Sequence, residues 1–370
     1  TDDALAFRYL ACNRHPDHDT LATFRKRFGH EFQSAFVQVL QVARENPRSR
    51  FGTVSLDGTK IHANASCRSA LSYGHAKKIE AHLKAEVQKL LALAEAADRS
   101  SVPDGVSLPD EIERREDRLA AIATAQAKIE ARAKARYEEA RAAYEARMAV
   151  RAEKEAATDK KSGGKPPTPP ESGPRTDDQI NLTDEALRIM KVADGGFEPC
   201  YNVQALTDAE SMLILVPHVT QASNDKEQVE PMLRQVQGNP EGLNRTEIWL
   251  ADTGYDSEKN VTTCLAAEIP PPIAVKRDEH HPPWPERFTE PVPLAGDASP
   301  VDAMKHALKT KAGRAAYVLR KQTVEPVFGI IQSVMGFRQF LLHGLENVQN
   351  EWTLVCLAWN LKRMAVLRPQ

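Results

Sequence analysis

Residues 249–255 read WLADTGY, an apolar run that stops on Asp252 with a glycine two positions later. The residues leading into it, 246–251 (TEIWLA), have the β-branched and aromatic character of a buried strand. Asp252 is therefore expected at the carboxyl end of that strand, where open α/β sheets place their ligands. The arrangement recurs upstream, where residues 51–61 (FGTVSLDGTKI) read as a second β run ending on Asp57 and Gly58. One Asp-Gly after a strand is usually a turn. Two strand-terminal carboxylates in one chain need a partner.

Outward from these runs, GFEPCYNVQALTD (196–208) and MLILVPHVT (212–220) read as an antiparallel pair turned at residues 208–211. NDKEQVEPMLRQVQ follows as a helix capped by Asn224 or Asp225, and PPIAVKRD (271–278) as a further strand. The chain closes with helical patterns through AAYVLRKQTVEPVFGIIQSV and EWTLVCLAWNLKRMAVL. In the second, Trp352, Leu354, Leu357, Trp359 and Leu361 follow helical spacing, which predicts core packing. Residues 1–48 read as short helices (DDALAFRYLA, DTLATFRKRF, EFQSAFVQVLQVA), an N-terminal helical domain that is either a helix-turn-helix or a small bundle.

From 74 to 158 the composition turns to Ala, Glu, Lys and Arg. Leu83, Val87, Leu90 and Leu91 make one helical face. Leu119, Ile122, Ile129, Tyr137 and Tyr144 make another at approximately heptad spacing. The loop SSVPDGVSLP between them predicts an antiparallel helical hairpin, a coiled-coil arm with nearly balanced charge. Residues 159–179 read as a flexible, Pro-rich linker with no means of making a core. Without arm and linker, residues 49–73 and 180–370 give strand, strand, strand, helix, strand, strand, helix, helix: one mixed α/β sheet flanked by helices.

Composition sets the bounds. The 370 residues are 41% hydrophobic and 27% charged, enough for two domains and a sizeable core. The formal charge of −2 gives no global basic field, although residues 301–370 hold ten Lys and Arg against four acids. That bias reads first as a solvated helix surface and second as a footprint for a phosphate backbone. Five scattered cysteines without a Cys-x-x-Cys pair imply reduced thiols and no zinc module. The histidines of RDEHHPPW (277–284) read as an exposed loop, not as a zinc site. No apolar run reaches the roughly 18 residues of a membrane span, so a cytoplasmic protein is expected. The chain opens inside a helical pattern without a methionine, so a leading segment is expected upstream.

If the two aspartates hold Mg2+, they need a further oxygen donor. Glu325 is the best candidate, since helical rotation sets Tyr317, Lys321, Glu325, Phe328 and Gln332 on one face. Pro326 removes a backbone donor and is expected to restart or kink the helix at Glu325.

These residues carry a family likeness. LDGTKIHANAS, GGFEPCYNVQALTD, VTQASNDKEQVEPM, LADTGYDS, VEPVFGIIQSVMGFRQFLLHG and EWTLVCLAWNLKR resemble, in order, segments of the DDE transposases of bacterial insertion sequences, within the branch marked by a Tyr-Arg-Glu-Lys motif. The resemblance implies an RNase H-like catalytic core, with the first aspartate on the first strand, the second after the fourth and the glutamate on a late helix. It matches Asp57, Asp252 and Glu325 to the catalytic, metal-holding acids. Tyr317 and Arg320 keep the family's spacing to each other, while Arg320 stands one residue too far from Glu325. Lys321 has the expected separation and is read as the cation nearer the metal, leaving Arg320 to a phosphate. Gln332 stands where the family has its lysine. Arg338 contacts phosphate or caps a helix.

The implied chemistry is DNA cleavage at transposon ends and strand transfer with two Mg2+ ions, Mn2+ substituting. The implied partner is double-stranded DNA, held by a homodimer, with neither a membrane nor a small-molecule substrate. Two alternatives stay open: a degenerate copy that binds DNA or assembles through its arm, and an RNase H-fold nuclease without strand transfer.

Overall fold

The computed structural model describes residues 9, 12–46, 49–97, 107–158, 165–192, 195–274, 285, 289–294 and 298–367. In chain order the strands are β1 (Thr53–His62), β2 (Ala70–Ser72), β3 (Gln179–Asn181), β4 (Arg188–Lys191), β5 (Phe197–Asp208), β6 (Ile214–Thr220) and β7 (Ile248–Leu250). The helices are α1 (His18–Arg27), α2 (Gly29–Ala43), α3 (Tyr73–Ala97), α4 (Leu108–Thr158), α5 (Val229–Gln237), α6 (Glu258–Ala266), α7 (Pro300–Lys309), α8 (Lys311–Ser333) and α9 (Leu345–Leu367). They fall into two compact units, Thr1–Ala65 with Ala186–Gln370, and Ser66–Glu185.

In the first unit β1 is the spine of a five-stranded mixed sheet. It pairs antiparallel with β5 from Val54 opposite Asp208 to His62 opposite Cys200. On its other edge it pairs parallel with β7 over Thr53–Ser55. The far edge of β5 takes β4 and then β6, both antiparallel. The β5–β6 turn forms as expected: Ser211 donates its backbone N–H (2.8 Å) and its hydroxyl (2.6 Å) to Asp208 Oδ2. Beyond β7 a parallel bridge joins Ala251 to Ile273. It is all that forms of the PPIAVKRD strand among the described residues, and 275–278 lie outside them.

One expectation is overturned here. β1 does not stop at Asp57 but continues through Gly58 to His62, because β5 offers an unbroken partner edge along all of it.

Helices cover the sheet with apolar stripes. α9 buries Trp352, Cys356, Leu357 and Trp359, each large side chain contributing about 2–3 kcal/mol through area removed from water. Both indoles also find acceptors: Trp352 Nε1 donates to the Gln204 carbonyl (3.2 Å) and Trp359 Nε1 to that of Met212 (2.8 Å). Leu361, expected in this core, is 51% exposed. Asn360 takes the inward position instead and pairs with both backbone groups of Ile214.

α2 buries Phe36, Leu40 and Ala43 in the same core as α9. Residues 1–48, read from the sequence as a helical domain, thus share a unit with the sheet. The run DDALAFRYLA lies outside the described residues apart from Tyr9. α8 is continuous across Pro326, without the restart expected there, and buries Arg320, Thr323, Val324, Val327, Phe328 and Ile331.

The second unit has its own small core of Leu71, Ala76, Leu83, Ile122, Ala125, Ile129 and Ile180. α3 has 25 residues and α4 has 51, the latter about 75 Å long at 1.5 Å per residue. The two helices share this core through Leu83 and through Ile122, Ala125 and Ile129; Leu91 is 40% exposed, and the connection expected at 98–106 lies outside the described residues.

Residues 165–178, expected to be flexible, run back along α4. Arg151 Nη1 donates to the Lys165 carbonyl at 3.5 Å. Arg136 grips Asp178 with two bonds of 2.7 and 2.8 Å. Asp178 also accepts from the Arg175 N–H within the segment, and the three bonds from Arg136 and Arg151 tie to α4 a segment that has no core of its own. The proposed linker's first residues, 159–164, and the RDEHHPPW loop lie outside the described residues.

Candidate active site

Asp57 lies in the middle of β1. Its Oδ1 accepts the Gly58 N–H at 2.8 Å and its Oδ2 accepts Arg320 Nη1 at 3.2 Å. Burial pushes its pKa up to about 6; the Gly58 N–H and Arg320 oppose the rise, and the carboxylates of Asp252 and Asp225 add to it. Asp252 follows β7 and caps a short 3-10 turn, Thr253–Tyr255, by accepting the Gly254 N–H at 2.7 Å. The parallel register that sets Ser55 beside Leu250 brings the chain segments of Asp57 and Asp252 side by side.

Glu325 comes from α8. Its Oε1 accepts Arg320 Nη2 at 3.0 Å, so one guanidinium spans Glu325 and Asp57. Arg320 is 91% buried by side chain, and its Nε has no acceptor. Its guanidinium also lies over the Tyr317 ring, 5.9 Å from the centroid. Burial works against this charge, but Tyr317, Asp57 and Asp252 outweigh it and raise the Arg320 pKa.

The structure therefore corrects the choice of cation. Lys321 is exposed, and Arg320 is the residue that reaches the acids. The helical wheel ranked Lys321 by its angle to Glu325, whereas the buried face of α8 is set by Thr323, Val324, Val327 and Phe328. Arg320 lies on that face, and its long side chain covers the remaining angle to Glu325.

Gln332 points at the same strand and donates to Thr59 Oγ1 at 3.3 Å. Arg338 Nε donates to the Gln332 carbonyl at 3.2 Å, near the end of α8.

Residues 297–365 match the family model of the transposase DDE domain. No match was found among curated proteins or solved structures. The matched span contains Tyr317, Arg320, Glu325 and Gln332 but not Asp57 or Asp252. It supports a DDE transposase family, an enzyme acting on DNA and the divalent metal ions that such enzymes generally use. No helix among the described residues is long and apolar enough to cross a membrane.

Sequence reasoning missed a layer beneath the acids. Asp225, read as a helix cap, is not one: α5 begins at Val229 with Gln228 at its N-cap. Asp225 Oδ1 instead accepts Asn202 Nδ2 (2.8 Å) and Gln204 Nε2 (2.7 Å). Gln204 in turn accepts the hydroxyl of Tyr255, a fully buried phenol. Its pKa is driven well up by burial and by the nearby Asp225, Asp57 and Asp252. The signal available was the alternation Asn202-x-Gln204, two amides on one face of an otherwise apolar strand.

A hard divalent cation suits these donors, since Asp57, Asp252, Glu325 and Asp225 offer carboxylate oxygens, the ligands such a cation prefers. Among the described residues no three His, Cys, Asp or Glu are already spaced to hold a metal ion. Arg320 takes up the gap between Asp57 and Glu325.

Proposed function

We propose that this chain is a transposase of the bacterial insertion-sequence type, which cleaves DNA at the ends of its element and joins those ends to target DNA. The observation that carries the reading is the convergence of Asp57, Asp252 and the Arg320–Glu325 pair across β1, β7 and α8, with the last two residues inside the matched span. The sheet supports an RNase H-like core: the order β6, β5, β1, β7 and the Ile273 bridge has three antiparallel strands followed by parallel ones.

Asp57, Asp252 and Glu325 would hold two Mg2+ ions, or Mn2+, whose chemistry is to make a bound water nucleophilic and to stabilise the leaving oxygen. Asp57 is fixed for that task by the Gly58 N–H. Arg320 presents a planar fork suited to phosphate, and its acceptor-free Nε is the donor left over for a phosphoryl oxygen. Hydrolysis at the element's end frees a 3′-hydroxyl, and attack of that hydroxyl on target DNA is a second in-line transfer at the same residues. Tyr317, Lys321 and Gln332 line the DNA side of α8. The double-stranded substrate, a homodimeric complex and a cytoplasmic location belong to the same reading.

The test is nicking of labelled DNA bearing the element's ends, with Mg2+, by the chain and by Asp252→Ala. Nicking lost in the variant supports the reading, and a strand-transfer product distinguishes it from a plain nuclease. Equal nicking by both proteins would refute it.

A further inference from the structure

We infer that Asp225 is a fourth carboxylate of the acidic site, positioned by Asn202 and Gln204 to help hold the divalent cation. The inference rests on the metal-dependent reading above and adds a residue to it.

The fold makes room for Asp225 in two places. A Cβ on Gly58 would lie 2.1 Å from Gln204 Nε2 and 2.8 Å from Asp225 Oδ1. Only a glycine beside Asp57 lets the amide and the carboxylate come this close to β1. A Cβ on Gly254 would lie 2.9 Å from Asp252 Oδ1 and 3.7 Å from Asp225 Oδ2, so both carboxylates border the same bare backbone. Asp225 Oδ1 is committed to two amide donors. Oδ2 is the oxygen that borders Gly254.

The two amides fix the orientation of the Asp225 carboxylate. Gln204 is locked by the Tyr255 hydroxyl, and Asn202 donates also to the Ala222 carbonyl. Buried amides satisfied this fully fix an orientation, as the outer partners of metal ligands do. A second observation points independently to a ligand at this place: Arg320, nine-tenths buried and reaching into the acids, keeps an Nε with no acceptor. Excess carboxylate beside an unanswered guanidinium donor suits a cation and a phosphate bound together.

The experiment is a Mn2+ titration of the full chain followed by paramagnetic resonance, run beside DNA nicking and thermal unfolding, with Asp57→Asn as reference. Asp225→Asn keeps an oxygen for both amides and removes the charge; Asp225→Ser removes it with a smaller side chain if the first variant unfolds. The expected result is Mn2+ affinity lowered about 10- to 100-fold, with DNA affinity and melting temperature retained and nicking moved to higher metal concentration. Affinity equal to wild type in a folded variant overturns the role of Asp225 and leaves the transposase reading standing. If the wild type binds Mn2+ without nicking, the transposase reading fails, and the affinity of the variant still decides Asp225. A wild type that binds no Mn2+ overturns both.

Discussion

Asp57→Asn is expected to make the protein more stable in the absence of divalent cations. The Asp57 pKa stands at about 6 in the fold against its ordinary value of 3.8, so ionised Asp57 costs the folded state about 3 kcal/mol at neutral pH. Because the folded state binds its proton more tightly, the penalty is absent below about pH 3.8. It grows as pH rises through that window and is complete above about pH 6. Asparagine mimics the protonated form at every pH, and Arg320 keeps Glu325 as its partner. Urea unfolding with a chelator present, followed by tryptophan fluorescence, reports the sheet-bearing unit through the buried Trp249, Trp352 and Trp359. The variant is expected to gain up to about 3 kcal/mol at pH 7.5, with the gain shrinking toward zero near pH 4. Saturating Mg2+ reverses the order, since ligand bound only to the folded state stabilises the wild type by about 1.4 kcal/mol per tenfold excess over its dissociation constant. A variant no more stable at pH 7.5, or equally favoured at pH 4, refutes the account of Asp57.

Gly58→Ala is expected to cost about 1–3 kcal/mol by overpacking against Gln204 and Asp225, read from the urea midpoint, and to reduce nicking by displacing Asp225. Arg320→Lys, which keeps the charge but cannot span Asp57 and Glu325, is expected to lower the nicking rate at least tenfold (about 1.4 kcal/mol); a rate equal to wild type would remove the fork from the argument. Lys321→Ala should nick normally at low salt while the salt dependence of DNA binding becomes shallower by about one unit of slope. Glu351 is 3% exposed by side chain, pairs with Arg25 at 3.0 Å and accepts the N–H groups of Leu341 and Leu342. Glu351→Ala should therefore destabilise by about 3–5 kcal/mol, and a loss below about 1 kcal/mol would show that α9 does not depend on this anchor.

The strands of the sheet were legible wherever burial enforces a pattern. TEIWLA, VQALTD and LILVPHV announce strands because the face or faces they bury leave no choice of residue. Legibility failed where one dipeptide serves two ends. The Asp57-Gly58 pair has the chemistry of a turn, and only the neighbouring strand, far along the chain, shows that the glycine clears space for Gln204 and Asp225. Asn224-Asp225 before an apolar helix has the chemistry of a cap, and only the fold turns Asp225 toward Asn202 and Gln204. Arg320 was misjudged because a helical wheel compares Cα directions, while a guanidinium on a long stem answers to what its face packs against. The Pro-rich segment looked structureless because its partners, Arg136 and Arg151, belong to a helix read as solvent-facing.

The insertion between β1 and β4 also bears on how the chain finds its fold. Joining His62 to Cys200 closes a loop of roughly 140 residues, an entropic cost that delays long-range pairing. The arm's two ends are themselves tied together, since β2 pairs with β3 and Leu182 donates to the Ser69 carbonyl. Once α3, α4 and this small ribbon have formed from their own short-range contacts, the chain that remains to be closed is roughly 25 residues. The saving is about 1.5 kcal/mol in loop entropy. The arm thus acts as a splint during folding: as the ribosome releases it, β1 is held close to the place where β5 will emerge, and the first aspartate waits beside the strand that completes its site.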